Sequence, residues 1–214
     1  MINIDKLNKK YGNRTIFKDF SIKFEKAEFV SIYGESGSGK STLLNIIGLL
    51  ERFDSGDVII NGRKNVGIDS KEAILMRRNE ISYLFQSYAL IDEMTVYDNL
   101  KLALEYRNYS KSEKDEKIRE ALKYVGLSDK IKSFVYELSG GEQQRVAMAR
   151  VLLHDTSIIL ADEPTGSLDE KNKQVILELL KKENEKGKTV IVATHDKDIK
   201  EISTKVVSLK KINV

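Results

Sequence analysis

The chain has 214 residues, 41% hydrophobic and 32% charged, which suits one domain with a sizeable core. Its 36 basic and 33 acidic residues leave a formal net charge of +3, a poor footprint for nucleic acid or an anionic membrane. It has no cysteine, which excludes a disulfide framework and a thiolate metal site.

The opening stretch, MINIDKLNKKYGNRTIF, has no apolar run behind its charges and does not read as a signal peptide. INIDKL (2–7), DFSIKFE (19–25) and DVIING (57–62) predict antiparallel strands, with turns at Tyr11-Gly12-Asn13 and Asn61-Gly62. EFVSIYG, Glu28 to Gly34, is β-branched and aromatic and predicts a buried strand. A glycine-rich turn follows, then an apolar helix from Lys40. The apolar run Leu43 to Leu50 is far shorter than the ~20 residues of a membrane span, so the chain is not expected to cross a bilayer by itself.

The middle of the chain predicts helices. In SKSEKDEKIREALKYVGL, Ser110 and Glu113 have capping-box spacing, Ile118, Ala121, Leu122 and Val125 form an apolar stripe, and Gly126 stops the run. LLHDTS, with His154, reads as a loop. Two apolar runs, Thr156 to Glu163 and Lys188 to His195, predict central parallel strands covered on both faces. The helix Glu170 to Gly187 between them completes a βαβ unit. The single proline, Pro164, stands where the first of these strands must stop.

GESGSGKS (Gly34, Glu35, Ser36, Gly37, Ser38, Gly39, Lys40 and Ser41) matches the spacing G-x-x-x-x-G-K-[ST]. Glycines let backbone N–H groups turn inward around a polyphosphate without Cβ clashes, and the following helix adds the positive end of its dipole. Lys40 is expected to reach the β- and γ-phosphates of a nucleoside triphosphate, and Ser41, next to Thr42, to hold Mg²⁺. Asp162 and Glu163 end a predicted parallel strand, where ligands of such sheets bind. Asp162 is placed to orient the Mg²⁺ shell and Glu163 to polarise an attacking water.

These segments together resemble the nucleotide-binding subunits of ABC transporters, over nearly the whole chain and in the family's order. Tyr11 resembles the aromatic that stacks on adenine, and Gln86, in YLFQSYAL, the glutamine that touches the metal site and the membrane subunit. LSGGEQQR resembles the family signature, IILADE the second Walker motif, GSLD with Asp169 the D-loop, and His195 the switch histidine. Prolines that many relatives carry before the second Walker strand and near the glutamine are missing.

The resemblance implies an α/β P-loop fold: a mainly parallel core with an antiparallel β subdomain (1–86 and 146–214) and an inserted helical subdomain (87–145). It implies an active ATPase using ATP and Mg²⁺, with Lys40, Gln86, Glu163 and His195 as its catalytic set. It implies a head-to-tail homodimer in which Ser139, Gly140, Gly141 and Glu142 meet the partner's nucleotide, and a separate membrane permease at the cytoplasmic face of the membrane. LSGGEQQRVAMARVLL and ADEPTGSLDEKN are most similar to lipoprotein-releasing and macrolide-export cassettes, and small cassettes of this length also resemble bacteriocin exporters. Regulation of a membrane partner in cell-wall remodelling or division is the alternative. Nucleic acid is not an expected partner, and no regulatory domain is expected after the one or two strands that follow His195.

Two glycines open the helix after Ser139, although glycine costs roughly 1 kcal/mol in a helix interior. Ser139 and Glu142 cap that helix, but a cap does not need glycines between them. An anion brought by a second copy of the chain is the expected reason.

Overall fold

The computed structural model describes residues 1–212. Three strands, β1 (Ile2–Tyr11), β2 (Arg14–Phe24) and β3 (Phe29–Tyr33), precede helix α1 (Lys40–Ile47). β4 (Ser55–Ile60), β5 (Arg63–Lys64), α2 (Lys71–Asn79) and β6 (Ile81–Leu84) follow. Next come α3 (Val96–Ala103), α4 (Lys111–Tyr124), α5 (Gly140–His154) and β7 (Ile158–Asp162). The described chain closes with α6 (Glu170–Glu185), β8 (Thr189–Thr194), α7 (Lys197–Ile202) and β9 (Lys205–Ser208).

Two sheets form. One is antiparallel, in the order β2-β1-β4-β5, and turns through Asn61 and Gly62, both at positive φ (48° and 83°), as a two-residue hairpin requires. The other has five parallel strands in the order β6-β7-β8-β3-β9. Its central strands have no polar face because both faces are covered. Ile159, Ala161, Val190 and Val192 pack into a core shared with α3 to α6. Ile158, Leu160, Ile191 and Ala193 point the other way, into a core shared with α1, α2 and the antiparallel sheet. The period-2 alternation of one run of apolar residues thus holds two cores together.

The Ser110–Glu113 capping box is present in both directions, and Ile118, Ala121, Leu122 and Val125 are buried as their spacing predicts. α2 and β6 were not expected. α2 exposes Ile74 and Leu75, which obscures its amphipathic pattern, and β6 is only four residues long. His154 corrects the loop expected for LLHDTS. It is the last residue of α5, which continues because Leu152 and Leu153 pack against the helical core. Asp155, at φ 46°, ends the helix in the left-handed region. α5 also runs unbroken through residue 145, so the turn after Ser139 is rigidly continuous with the sheet-covering part of the fold.

Candidate nucleotide site

The site lies at the carboxyl ends of β3, β7 and β8. β3 runs into the glycine turn, and α1 starts behind Gly39, whose φ of 95° is left-handed. A Cβ on Gly39 would lie 2.7 Å from Ile16 Cγ2, so the turn is pressed against the antiparallel sheet and only glycine fits. Lys40 is buried under this turn. Its ammonium donates to the carbonyls of Gly34 (2.8 Å) and Glu35 (3.3 Å) and stands 3.6 Å from a Glu163 carboxylate oxygen. The Ser41 hydroxyl donates to Asp162 Oδ1 at 3.0 Å, joining the start of α1 to the end of β7. Burial pushes the Asp162 carboxyl above its ordinary range. Glu163 adds to that push, while the Ser41 bond and Lys40 oppose it.

Glu163 stands one residue beyond β7. Its N–H still bonds the Ala193 carbonyl at 2.9 Å, but its φ is 43°, a left-handed value that costs a non-glycine residue about 1–3 kcal/mol. The chain turns out of the sheet here, and the carboxylate lies between two partners. One oxygen faces Lys40 and the other is 2.9 Å from His195 Nδ1. His195 is itself exposed at the end of β8.

These groups enclose a cleft of about 590 Å³. Its lining includes Gly34, Glu35, Ser36, Gly37, Gly39, Lys40, Ser41 and Thr42 from the glycine turn and α1, with Tyr11, Gln86, Glu163 and His195 around them. Ser38 is buried within the turn, and its hydroxyl has no hydrogen-bond partner. Tyr11 is half exposed. Its hydroxyl donates to Glu51, and the Lys9 ammonium lies 4.6 Å from its ring centroid. The sequence reading missed Arg14, which also lines the cleft and donates to the Gly37 carbonyl at 2.6 Å. No motif marks that arginine; the β1–β2 hairpin alone brings it over the turn.

Ser139, Gly140, Gly141, Glu142 and Asp169 do not line the cleft. The Ser139 N–H donates to Glu142 Oε2 at 2.9 Å, and the Glu142 N–H returns to Ser139 Oγ at 3.3 Å. That backbone bond holds the Glu142 carboxyl below its ordinary range. Asp169 caps α6, accepting from the Asn172 N–H at 2.8 Å. A contact inside the chain accounts for the second glycine. A Cβ on Gly141 would lie 2.3 Å from Asn172 Cγ. A Cβ on Gly140 would stand 3.0 Å from the Tyr88 hydroxyl. Gly141 therefore answers to a contact within the chain, whereas Gly140 faces only the end of the Tyr88 side chain.

The donor set suits a polyphosphate with Mg²⁺. Gly39 lets the turn pack on Ile16 and Phe17 with no Cβ in the way, and the Lys40 ammonium beneath the turn donates to backbone carbonyls. Ser41 and Asp162 present hard oxygen atoms 3.0 Å apart, the kind of partial shell that Mg²⁺ completes with phosphate and water. Fold and site together define a P-loop nucleoside triphosphatase with a helical insert between its catalytic strands. The chain belongs to the ABC transporter family, whose pattern matches residues 17–166, and it is an ATP-binding, ATP-hydrolysing member.

The macrolide export ATP-binding/permease protein MacB of Mannheimia succiniciproducens is 40% identical over 214 residues, covering 98% of this chain and 33% of that protein. The chain thus spans about a third of the MacB relatives it matches, but 93% of the ABC transporter ATP-binding protein MJ1508 of Methanocaldococcus jannaschii, which is 39% identical over 209 residues. Among solved structures, the dimeric cassette MJ0796 superposes with a TM-score of 0.91 at 41% identity, covering 98% of this chain and 94% of that one. A post-hydrolysis state of MJ0796 bound to ADP and phosphate also superposes at 0.91, with 39% identity, covering 100% of this chain and 97% of that one.

Proposed function

We propose that this chain powers export through a separate membrane permease, working as an ATP-sandwich homodimer at the cytoplasmic face of the membrane. The observation that carries this reading is the pairing of a built site with a missing half. Lys40, Ser41, Glu163 and His195 line one cleft, with Asp162 accepting from Ser41 beside it, while Ser139 and Gly140 sit outside it at the α5 N-terminus. Support comes from the dimeric MJ0796 structures and from relatives named as macrolide exporters fused to a permease. No helix among the described residues is long and apolar enough to cross a membrane, so on this reading the permease lies outside them. A peptide, lipoprotein or drug is the proposed cargo.

In this mechanism Lys40 leaves the Gly34 and Glu35 carbonyls and Glu163 for the β- and γ-phosphates, which the inward N–H groups of the turn surround. Ser41 and Asp162, with Gln86, would hold Mg²⁺, which would supply neutralisation of phosphate charge. Glu163, freed from Lys40, accepts a proton from the attacking water, and His195 holds the carboxylate in place through Nδ1. Tyr11 offers a ring face to adenine, with Lys9 and Glu51 bracing it.

The test is Glu163→Gln, followed by light scattering and phosphate release with ATP and Mg²⁺. ATP binding should persist, hydrolysis should fall by about 10²-fold or more, and a stable dimer should accumulate. A variant that stays monomeric with ATP bound overturns the sandwich. Lys40→Ala is the companion, and normal turnover in it overturns the assignment of the cleft.

A further inference from the structure

The first turn of α6 touches two distant parts of the active machinery through neighbouring residues. Asn172 fills the space beside Gly141. Its Oδ1 accepts from the Arg145 guanidinium, one turn further along α5, and its Nδ2 donates to Asp169 at 2.8 Å. Lys173, the next residue, points elsewhere, because successive side chains on a helix diverge around the axis. Its ammonium lies 2.5 Å from Asp198, 3.2 Å from Asp196 and 3.6 Å from Glu170. Asp196 follows His195 directly and also accepts from the Thr165 hydroxyl at 3.0 Å. Thr165 in turn lies two residues past Glu163. Lys173 and Asp196 are each only 16% exposed, so that contact is drier than an ordinary surface ion pair, whereas Asp198 and Glu170 are exposed.

We propose that Asn172 and Lys173 are positioning residues that cross-link the Ser139–Gly141 turn to the His195 loop through one turn of α6. This rests on the sandwich reading, in which the turn serves the partner's nucleotide and His195 serves the chain's own. A displacement of the turn by a partner's phosphate pushes Gly141 and Arg145 against Asn172. The rigid first turn of α6 then carries the push to Asp196 through Lys173. Neither residue touches the cleft, so both act on turnover and leave nucleotide affinity alone.

Steady-state phosphate release on the full chain tests this, with thermal melting beside it. Asn172→Ala and Lys173→Ala should each lower kcat by about 5–20-fold with KM for ATP within about twofold. Lys173→Arg, which keeps the charge and the reach, should recover most of the rate. The double variant should lose little more than the worse single one, because either change cuts the same link. Wild-type kcat in both single variants overturns the proposal, and so do fully multiplicative losses or a loss shared by Lys173→Arg. Where Lys173→Ala does not fold, Lys173→Gln carries the same expectations. Glu163→Gln separates this from the reading beneath it. If that variant forms no ATP-dependent dimer, the sandwich fails; a dimer alongside normal turnover in the single variants refutes the cross-link alone.

Discussion

Replacing Gly141 by alanine sets two effects against each other. Alanine is the better helix former, by up to roughly 1 kcal/mol in a helix interior and less at this second position of α5. Against this, the new Cβ would stand 2.3 Å, 2.5 Å and 2.6 Å from Asn172 Cγ, Nδ2 and Oδ1, where an ordinary contact needs at least 3.4 Å. Asn172 must therefore move by about 1 Å, and it cannot do so while keeping both Arg145 and Asp169. At about 1 kcal/mol per lost hydrogen bond, the cost is about 1–2 kcal/mol against a gain of about 0.5. The net loss of about 0.5–1.5 kcal/mol corresponds to a fall in Tm of about 1–6 °C for a chain of this size. Thermal melts of Gly141→Ala, Asn172→Ala and the double variant measure it. The double variant should be at least as stable as Asn172→Ala alone, because the methyl then fills vacated space. A Gly141→Ala protein as stable as the parent, or strictly additive variants, would refute the packing account of this glycine.

Two further outcomes follow from half-buried titratable groups. The folded state raises the Asp162 carboxyl, so its contribution to stability is present below the ordinary value of 3.8 and is lost as pH rises through the raised value. Asp162→Asn should therefore raise the Tm of nucleotide-free protein at pH 7 and flatten its acid-side slope, while Mg²⁺-dependent turnover drops; a lower Tm at pH 7 would contradict this. His154 behaves oppositely. Burial, then Arg150 and Arg107, lower its pKa, so its contribution is present above the ordinary 6.5 and is lost as pH falls through the lowered value. Melts between about pH 7 and pH 5 should show the parent losing Tm faster than His154→Asn, and parallel curves would refute it.

Local chemistry made much of this protein legible. The glycine turn had to sit between a buried strand and a helix, because its spacing presents N–H groups to a polyanion only there. The Ser139–Glu142 and Ser110–Glu113 caps were readable because a capping box is a four-residue device. The runs ending at Glu163 and His195 were readable as central strands because they carry no polar face. α2 and β6 were less visible. α2 leaves Ile74 and Leu75 exposed, and β6 takes its place only by pairing with β7, far along the chain.

The glycines after Ser139 mark the boundary most sharply. The sequence alone established that a helix begins there, that it is capped, and that something must come close to its backbone. The neighbour within the chain comes from residue 172, delivered by α6 packing beside α5, and no spacing rule connects positions 141 and 172. The same holds for Arg14 over the glycine turn and for Lys173 beside the His195 loop. Each of these is a single polar side chain whose partner is chosen by how whole elements pack. Motifs recur because phosphate chemistry repeats; these contacts exist only once the sheets and helices have met.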